Sequence, residues 1–139
     1  MKNDHLTDGQ SLVTQAAFLC NEQKKILLLQ LPDNRWQLPG GKLKHNEQWE
    51  DGLKRELLEE ISLTDVEIHR PVYVDNWHTP TQNYYRTYFL CTTQSSDKTV
   101  LSEDHSSYRW IDQYTNLDDY KFTHETVRKH ILKFFTDFL

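Results

Sequence analysis

Glu56, Glu59 and Glu60 stand three and four residues apart in the stretch Arg55-Glu56-Leu57-Leu58-Glu59-Glu60-Ile61. On a helix that spacing gathers the three carboxylates within an arc of about 100°. At about 6 Å and an effective dielectric near 20, each pair would repel by roughly 3 kcal/mol, and by under about 1 kcal/mol if fully hydrated. A solvated acidic face is the ordinary fate of such acids. Glu56 and Glu60, however, border an apolar stripe in which Trp49, Leu53, Leu57 and Ile61 recur every four residues. Partly buried carboxylates need a metal or a cation partner. Just upstream, Pro39-Gly40-Gly41 offers a turn where backbone can approach a ligand closely. Carboxylates beside such a turn predict a divalent-metal site for a diphosphate. Mg2+ takes oxygen ligands, keeps several waters and is shared with substrate phosphates, and Mn2+ is the expected substitute.

Gly41, Glu47, Arg55, Glu56, Glu59 and Glu60, with apolar Leu57 and Leu63, fill the pattern G-x5-E-x7-R-E-U-x-E-E-x-G-U, where U is apolar. This segment resembles the Nudix box, with one departure: Ser62 stands where the family has glycine. Trp36 to Gly41 looks like the strand and turn that lead into the box, and Glu103 to Ile111 like the family's later acidic loop and Trp-bearing strand. The resemblance implies an α/β/α sandwich. It also implies a metal shell from Glu56, Glu59, Glu60 and the Gly40 carbonyl, with Glu103 or Asp104 a candidate to complete it. Water would be activated by Glu56 or by an acid of the later loop. Arg55 would hold a glutamate in its metal-binding rotamer, and Glu47 would fix the turn against the helix. Arg55 and Glu59 alone, at i and i+4, would be an ordinary helix ion pair worth about 0.3–0.5 kcal/mol.

These residues need elements to hold them. Leu12 to Cys20 and Lys25 to Leu31 read as a hairpin across Asn21-Glu22-Gln23, and Arg35 to Leu38 as a short strand. Asn46, a type that tolerates left-handed backbone, precedes a helix over 49–61, in which Gly52 costs about 1 kcal/mol relative to alanine unless it permits close packing. Ser62 would cost roughly 1–2 kcal/mol if the chain turns left-handed there. Val66 to Val74 and Tyr84 to Thr92 read as strands joined by an aromatic loop, Asn76 to Pro80, and Tyr108 to Ile111 as another strand. Thr123 is a candidate cap for a last helix carrying Val127, Ile131, Phe134, Phe135 and Phe138. The order predicts a mixed sheet with helices on both faces.

The chain has 139 residues, enough for one domain with a true core; residues 1 to 11 are polar and read as a flexible start. A formal net charge of -5 argues against bulk nucleic-acid or anionic-membrane binding, so a small anionic substrate would arrive with its metal. Cys20 and Cys91 lack CxxC spacing and read as buried free thiols. With no signal-peptide core or long apolar run, the expectation is a cytoplasmic protein. A homodimer stays open.

Trp77 is the candidate surface for a nucleobase, and Arg35 and Arg86, with Lys42, Lys44 and Arg70, are candidates for phosphate contact. His105 is a weaker candidate base because the sequence names no partner for it. The expected function is metal-dependent hydrolysis of a diphosphate linkage in a nucleoside diphosphate derivative, foremost a nucleoside triphosphate, in a housecleaning role resembling the MutT group. Dinucleoside polyphosphates, ADP-ribose and nucleotide sugars are the alternatives. A non-catalytic nucleotide-sensing module and an acidic interaction surface without a ligand are readings of a different class.

Overall fold

The computed structural model describes residues 10–139. The expected flexible segment therefore lies outside the described residues except for its end, where Ser11 already pairs with Asn83 in the sheet. The strands are β1 (Ser11–Cys20), β2 (Ile26–Gln30), β3 (Trp36–Gln37), β4 (Gly40–Lys42), β5 (Glu67–His78), β6 (Asn83–Thr92) and β7 (Ser107–Ile111). The helices are α1 (Trp49–Ile61) and α2 (Glu125–Phe138).

The sheet runs β3-β2-β1-β6-β5, with β4 also pairing β1 and β7 pairing β2. β1 and β6 are parallel and the other pairs antiparallel, so the sheet is mixed as expected. β1 and β2 read as continuous apolar runs because both faces of the sheet are covered. Ala16, Phe18, Cys20, Ile26 and Leu28 pack on one face under Val127, Ile131 and Phe134 of α2. Ala17, Leu19, Leu27 and Leu29 pack on the other under Leu53, Leu57 and Ile61 of α1. The architecture is an α/β/α sandwich. Each fully buried aliphatic side chain is worth about 1.5–3 kcal/mol, so Leu53, Leu57 and Ile61 fix the rotation of α1 and hold its acidic edge in place. Trp49, expected in the same buried stripe, is partly exposed but stacks on Phe89 at 4.8 Å.

Two element boundaries differ from expectation. The aromatic segment read as a loop over 76–80 is strand as far as His78: Trp77 pairs opposite Tyr84 and stacks on it at 5.1 Å. Cross-strand aromatic packing outweighs the turn-forming residue types there, and the chain reverses only at Thr79–Gln82, where Thr79 N donates to Gln82 O. The cap of α2 is His124, not Thr123, whose amide instead donates to Trp36 O. Cys20 and Cys91 are free and buried, as expected.

Candidate active site

β4 lies along the first half of β1, pairing Gly40 with Ala16 and Gly41 with Gln15, and this sets the glycine turn against the inner edge of α1. Gly40 has φ +144, a left-handed backbone for which a side chain would collide with the Gln15 carbonyl. Its amide donates to Glu60 Oε1 at 2.8 Å. A Cβ on Gly41 would stand 2.5 Å from Glu56 Cδ, so the missing side chain is the space that Glu56 occupies.

Arg55 ties this corner together. It donates from Nε to Glu47 Oε2 at 2.6 Å and from Nη2 to Glu47 Oε1 at 3.0 Å, a fork-like pair. Its Nη1 reaches Glu56 Oε1 at 3.0 Å and Glu59 Oε2 at 3.3 Å, and Nη2 also reaches the Lys42 carbonyl at 3.3 Å. Glu47 Oε1 accepts from Lys44 N, closing a turn in which Asn46 is left-handed at φ 60. The Arg55 and Lys44 bonds hold the Glu47 carboxyl down at about 2. Gly52 makes room for this contact: a Cβ there would lie 2.8 Å from both Glu47 Oε1 and Leu43 Cδ1.

The three helix glutamates are electrically unequal. Glu60 is 9% exposed, and burial pushes its carboxyl up to about 8; the Gly40 amide pulls the other way, while Glu56, Glu59 and Asp104 add repulsion. Burial also raises Glu56, with Arg55 opposing. The Glu59 side chain is 56% exposed.

The expected metal shell is not preassembled: among the described residues no three His, Cys, Asp or Glu side chains converge as a cage. Arg55 draws Glu56 and Glu59 to itself, and Glu60 is turned in on the Gly40 amide. The residues nevertheless suit a hard divalent cation. They offer carboxylate oxygens at a glycine turn, and the buried Glu60 has no full cation partner of its own.

Glu103 and Asp104 are both exposed on the loop before β7, and Asp104 is the loop acid whose charge raises Glu60. His105 is buried under Glu60, with Nε2 3.7 Å from Glu60 Oε2. Its lack of a nameable partner is thus corrected. No spacing signal connects His105 to a helix more than 40 residues upstream, so sequence alone could not have found the contact.

Beyond the glycine turn a cavity of about 100 Å³ is lined by Gly40, Gly41, Gln37, Lys42, Thr14 and Arg86, among others. Of the cationic candidates, Lys42 and Arg86 thus share one cleft. Arg86 Nε donates to Thr14 Oγ1 at 3.2 Å, and its guanidinium lies 4.5 Å over the Trp77 ring. Trp77 is further occupied by Tyr84 and by His124, 4.4 Å away, so it is a built wall rather than a bare stacking platform. Behind this wall Tyr88 donates to Asp75 Oδ2 at 2.9 Å, and His130 of α2 stands 3.2 Å from the same oxygen. Arg35 is engaged locally by Asp33 at 2.8 Å, and Arg70 lies over Phe138. A larger cavity of about 450 Å³, lined by Cys20, Asn21, Asp65 and Glu67, opens at the other end of β1 and contains none of this machinery.

A model of the NUDIX domain matches residues 11–134. An 8-oxo-dGTP diphosphatase of Buchnera aphidicola subsp. Schizaphis graminum is 29% identical over 133 residues, covering 95% of this chain and 92% of that protein. Among solved structures, the MutT protein of Methanosarcina mazei Go1 superposes with a TM-score of 0.76 at 21% identity, over 93% of this chain and 95% of that one. An Ap4A hydrolase of C. elegans superposes with a TM-score of 0.74 at 19% identity, over 91% and 96% of the two chains. At these identities the structural matches speak for the fold.

Proposed function

The chain belongs to the NUDIX domain family, and from that premise we propose that it is a MutT-like, divalent-metal-dependent pyrophosphohydrolase. It cleaves the diphosphate linkage of a nucleoside triphosphate to the monophosphate and pyrophosphate. The observation that carries this reading is the meeting of two halves at Gly40-Gly41: the Arg55-clamped glutamates on one side, and on the other a cavity carrying Lys42 and Arg86. The relative named as an 8-oxo-dGTP diphosphatase supports a nucleoside triphosphate over dinucleotide or sugar-linked substrates.

Glu56, Glu59 and Glu60 would hold Mg2+, or Mn2+ in its place, with the Gly40 carbonyl a further candidate donor and Asp104 or Glu103 the loop acid beside them. The metal, when bound, neutralises the diphosphate and lowers the pKa of the attacking water. The protein's own part is position. Arg55, bonded to Glu56 and Glu59, would orient them for a cation, while Glu47 keeps Arg55 in place. Lys42 and Arg86, which line the cavity beside the turn, would bind the phosphate chain. The base that takes the water's proton is Glu56 or the loop acid.

No described helix is long and apolar enough to cross a membrane, and the buried free cysteines suit a reducing cytoplasm. Among the described residues β5 is an edge strand, where a second copy of the chain would pair in a homodimer.

Glu59→Gln and Glu60→Gln test the reading. Each removes a charge but little volume, so each should lower turnover by at least about two orders of magnitude with an unchanged circular dichroism spectrum. Near wild-type hydrolysis in both variants would remove α1 from the mechanism.

A further inference from the structure

His105 is held from every side by atoms that otherwise belong to separate elements. The loop before β7 is stitched to the end of α1 by Val100 N to Ile61 O at 3.1 Å and Ser102 N to Glu60 O at 2.9 Å. It is then turned back by His105 N to Ser102 O and anchored on β2 by Ser106 N to Gln30 O. The imidazole, 8% exposed, is thereby driven under α1. Its Nδ1 lies 3.2 Å from Ser102 Oγ. Its Nε2 lies 3.3 Å from the Gln37 side-chain amide and 3.7 Å from Glu60 Oε2. The Gln37 amide nitrogen can only donate, so Nε2 accepts from it, the ring hydrogen sits on Nδ1 and is donated to Ser102 Oγ, and Glu60 Oε2 packs beside Nε2 beyond hydrogen-bond distance.

Glu60 has two oxygens. Oε1 is fixed by the Gly40 amide, and the nearest polar side-chain group recorded at Oε2 is His105. Gln37, at the same ring nitrogen, lines the cavity shared by Gly40 and Arg86. One side chain therefore touches both the buried carboxylate and the floor of the cleft.

We propose that His105 is a positioning residue: braced by Ser102, it sets the rotamer of Glu60 and the orientation of the Gln37 amide, so that the acidic helix and the cleft floor are held in register. The proposal rests on the reading of Glu60 as a metal ligand. Loss of a residue that supports a metal ligand typically weakens metal binding about 10- to 100-fold.

The test is Mn2+ titration of the nucleotide-free protein, alongside kcat and KM. His105→Leu removes the ring's polar contacts at similar bulk, and His105→Gln keeps an acceptor for the Gln37 amide near the position of Nε2. His105→Leu should weaken Mn2+ binding by about tenfold or more and lower kcat while moving KM little, and His105→Gln should recover binding to within about threefold of wild type. Ser102→Ala should shift Mn2+ affinity in the same direction by a smaller factor, and it carries the test should His105→Leu fail to fold. In the metal-free protein, amide exchange at Gly40 should quicken in His105→Leu, because Glu60 Oε2 loses the polar ring that it packs against. Wild-type Mn2+ affinity in folded His105→Leu, or in Ser102→Ala where the former does not fold, would overturn the proposal and leave the hydrolase reading standing. Equal losses in His105→Leu and His105→Gln would overturn it in favour of packing. Wild-type protein that binds no Mn2+ would overturn both.

Discussion

Ser62 and Glu60 are neighbours whose costs differ in kind. Ser62 caps α1 at φ 61 and ψ 23, left-handed backbone in an exposed position. The cost anticipated for a residue other than glycine is therefore incurred. Ser62→Gly should raise stability by about 1 kcal/mol without changing activity, read as a higher urea midpoint at constant m. A clear loss of stability would mean that the serine hydroxyl makes a needed cap. Glu60 carries an electrostatic cost instead. Its carboxyl sits near 8 when folded and near 4.5 when unfolded, so between those values the folded state holds a proton that the unfolded chain has lost. Metal-free stability should then fall as pH rises through 4.5 to 8, by up to a few kcal/mol. Glu60→Gln retains an acceptor for the Gly40 amide and should flatten that slope in chelator, and added divalent metal should reverse it for the wild type. Parallel pH profiles of urea midpoints for wild type and Glu60→Gln would contradict this. The box residues were legible because their chemistry is written in local spacing. The unequal burial of Glu56, Glu59 and Glu60 was only half legible, since it depends on how α1 rolls on the sheet.

At the scale of elements, α1 was legible to the residue because its four-residue apolar stripe and its flanking turn residues agree. The end of β5, past Val74, was not. Asn76 and Pro80 signal a turn, and only the pairing of Trp77 with Tyr84 overrides them. The pairing of β4 with β1 was equally invisible, because two glycines and a lysine carry no strand pattern, yet it brings the turn to Glu60. Gly52 shows how an element can defy propensity for a reason outside itself. In an ordinary helix Gly→Ala gains about 1 kcal/mol. Here the added methyl would meet Glu47 and Leu43 at 2.8 Å, and Glu47 is not free to yield because Arg55 and Lys44 hold it. Gly52→Ala should accordingly give no gain in thermal stability and should reduce turnover several-fold by disturbing the Arg55 clamp. A variant both more stable by about 1 kcal/mol and fully active would show that Glu47 moves aside at no cost.

For the whole molecule, the sandwich puts the two halves of the chemistry on opposite sides of one seam. α1 brings acids to one face of the sheet, while β6, β5 and the start of α2 bring Arg86, Trp77 and His124 to the other, and the glycine turn lies between them. Which cations share the cleft could not be read from sequence: Arg86 and Arg35 look alike until tertiary pairing commits one to the cavity and the other to Asp33. The acid site explains cleavage of a diphosphate, and the cleft must choose what is attached to it. The most direct measurement is therefore a substrate panel with Mg2+ at mildly alkaline pH, with products resolved by chromatography after reaction in heavy-oxygen water. Canonical or oxidised nucleoside triphosphates should yield the monophosphate and pyrophosphate, in preference to ADP-ribose, NADH or coenzyme A. Release of inorganic phosphate alone, or a rate on ADP-ribose or diadenosine polyphosphate at least about tenfold above every triphosphate, would contradict the assignment.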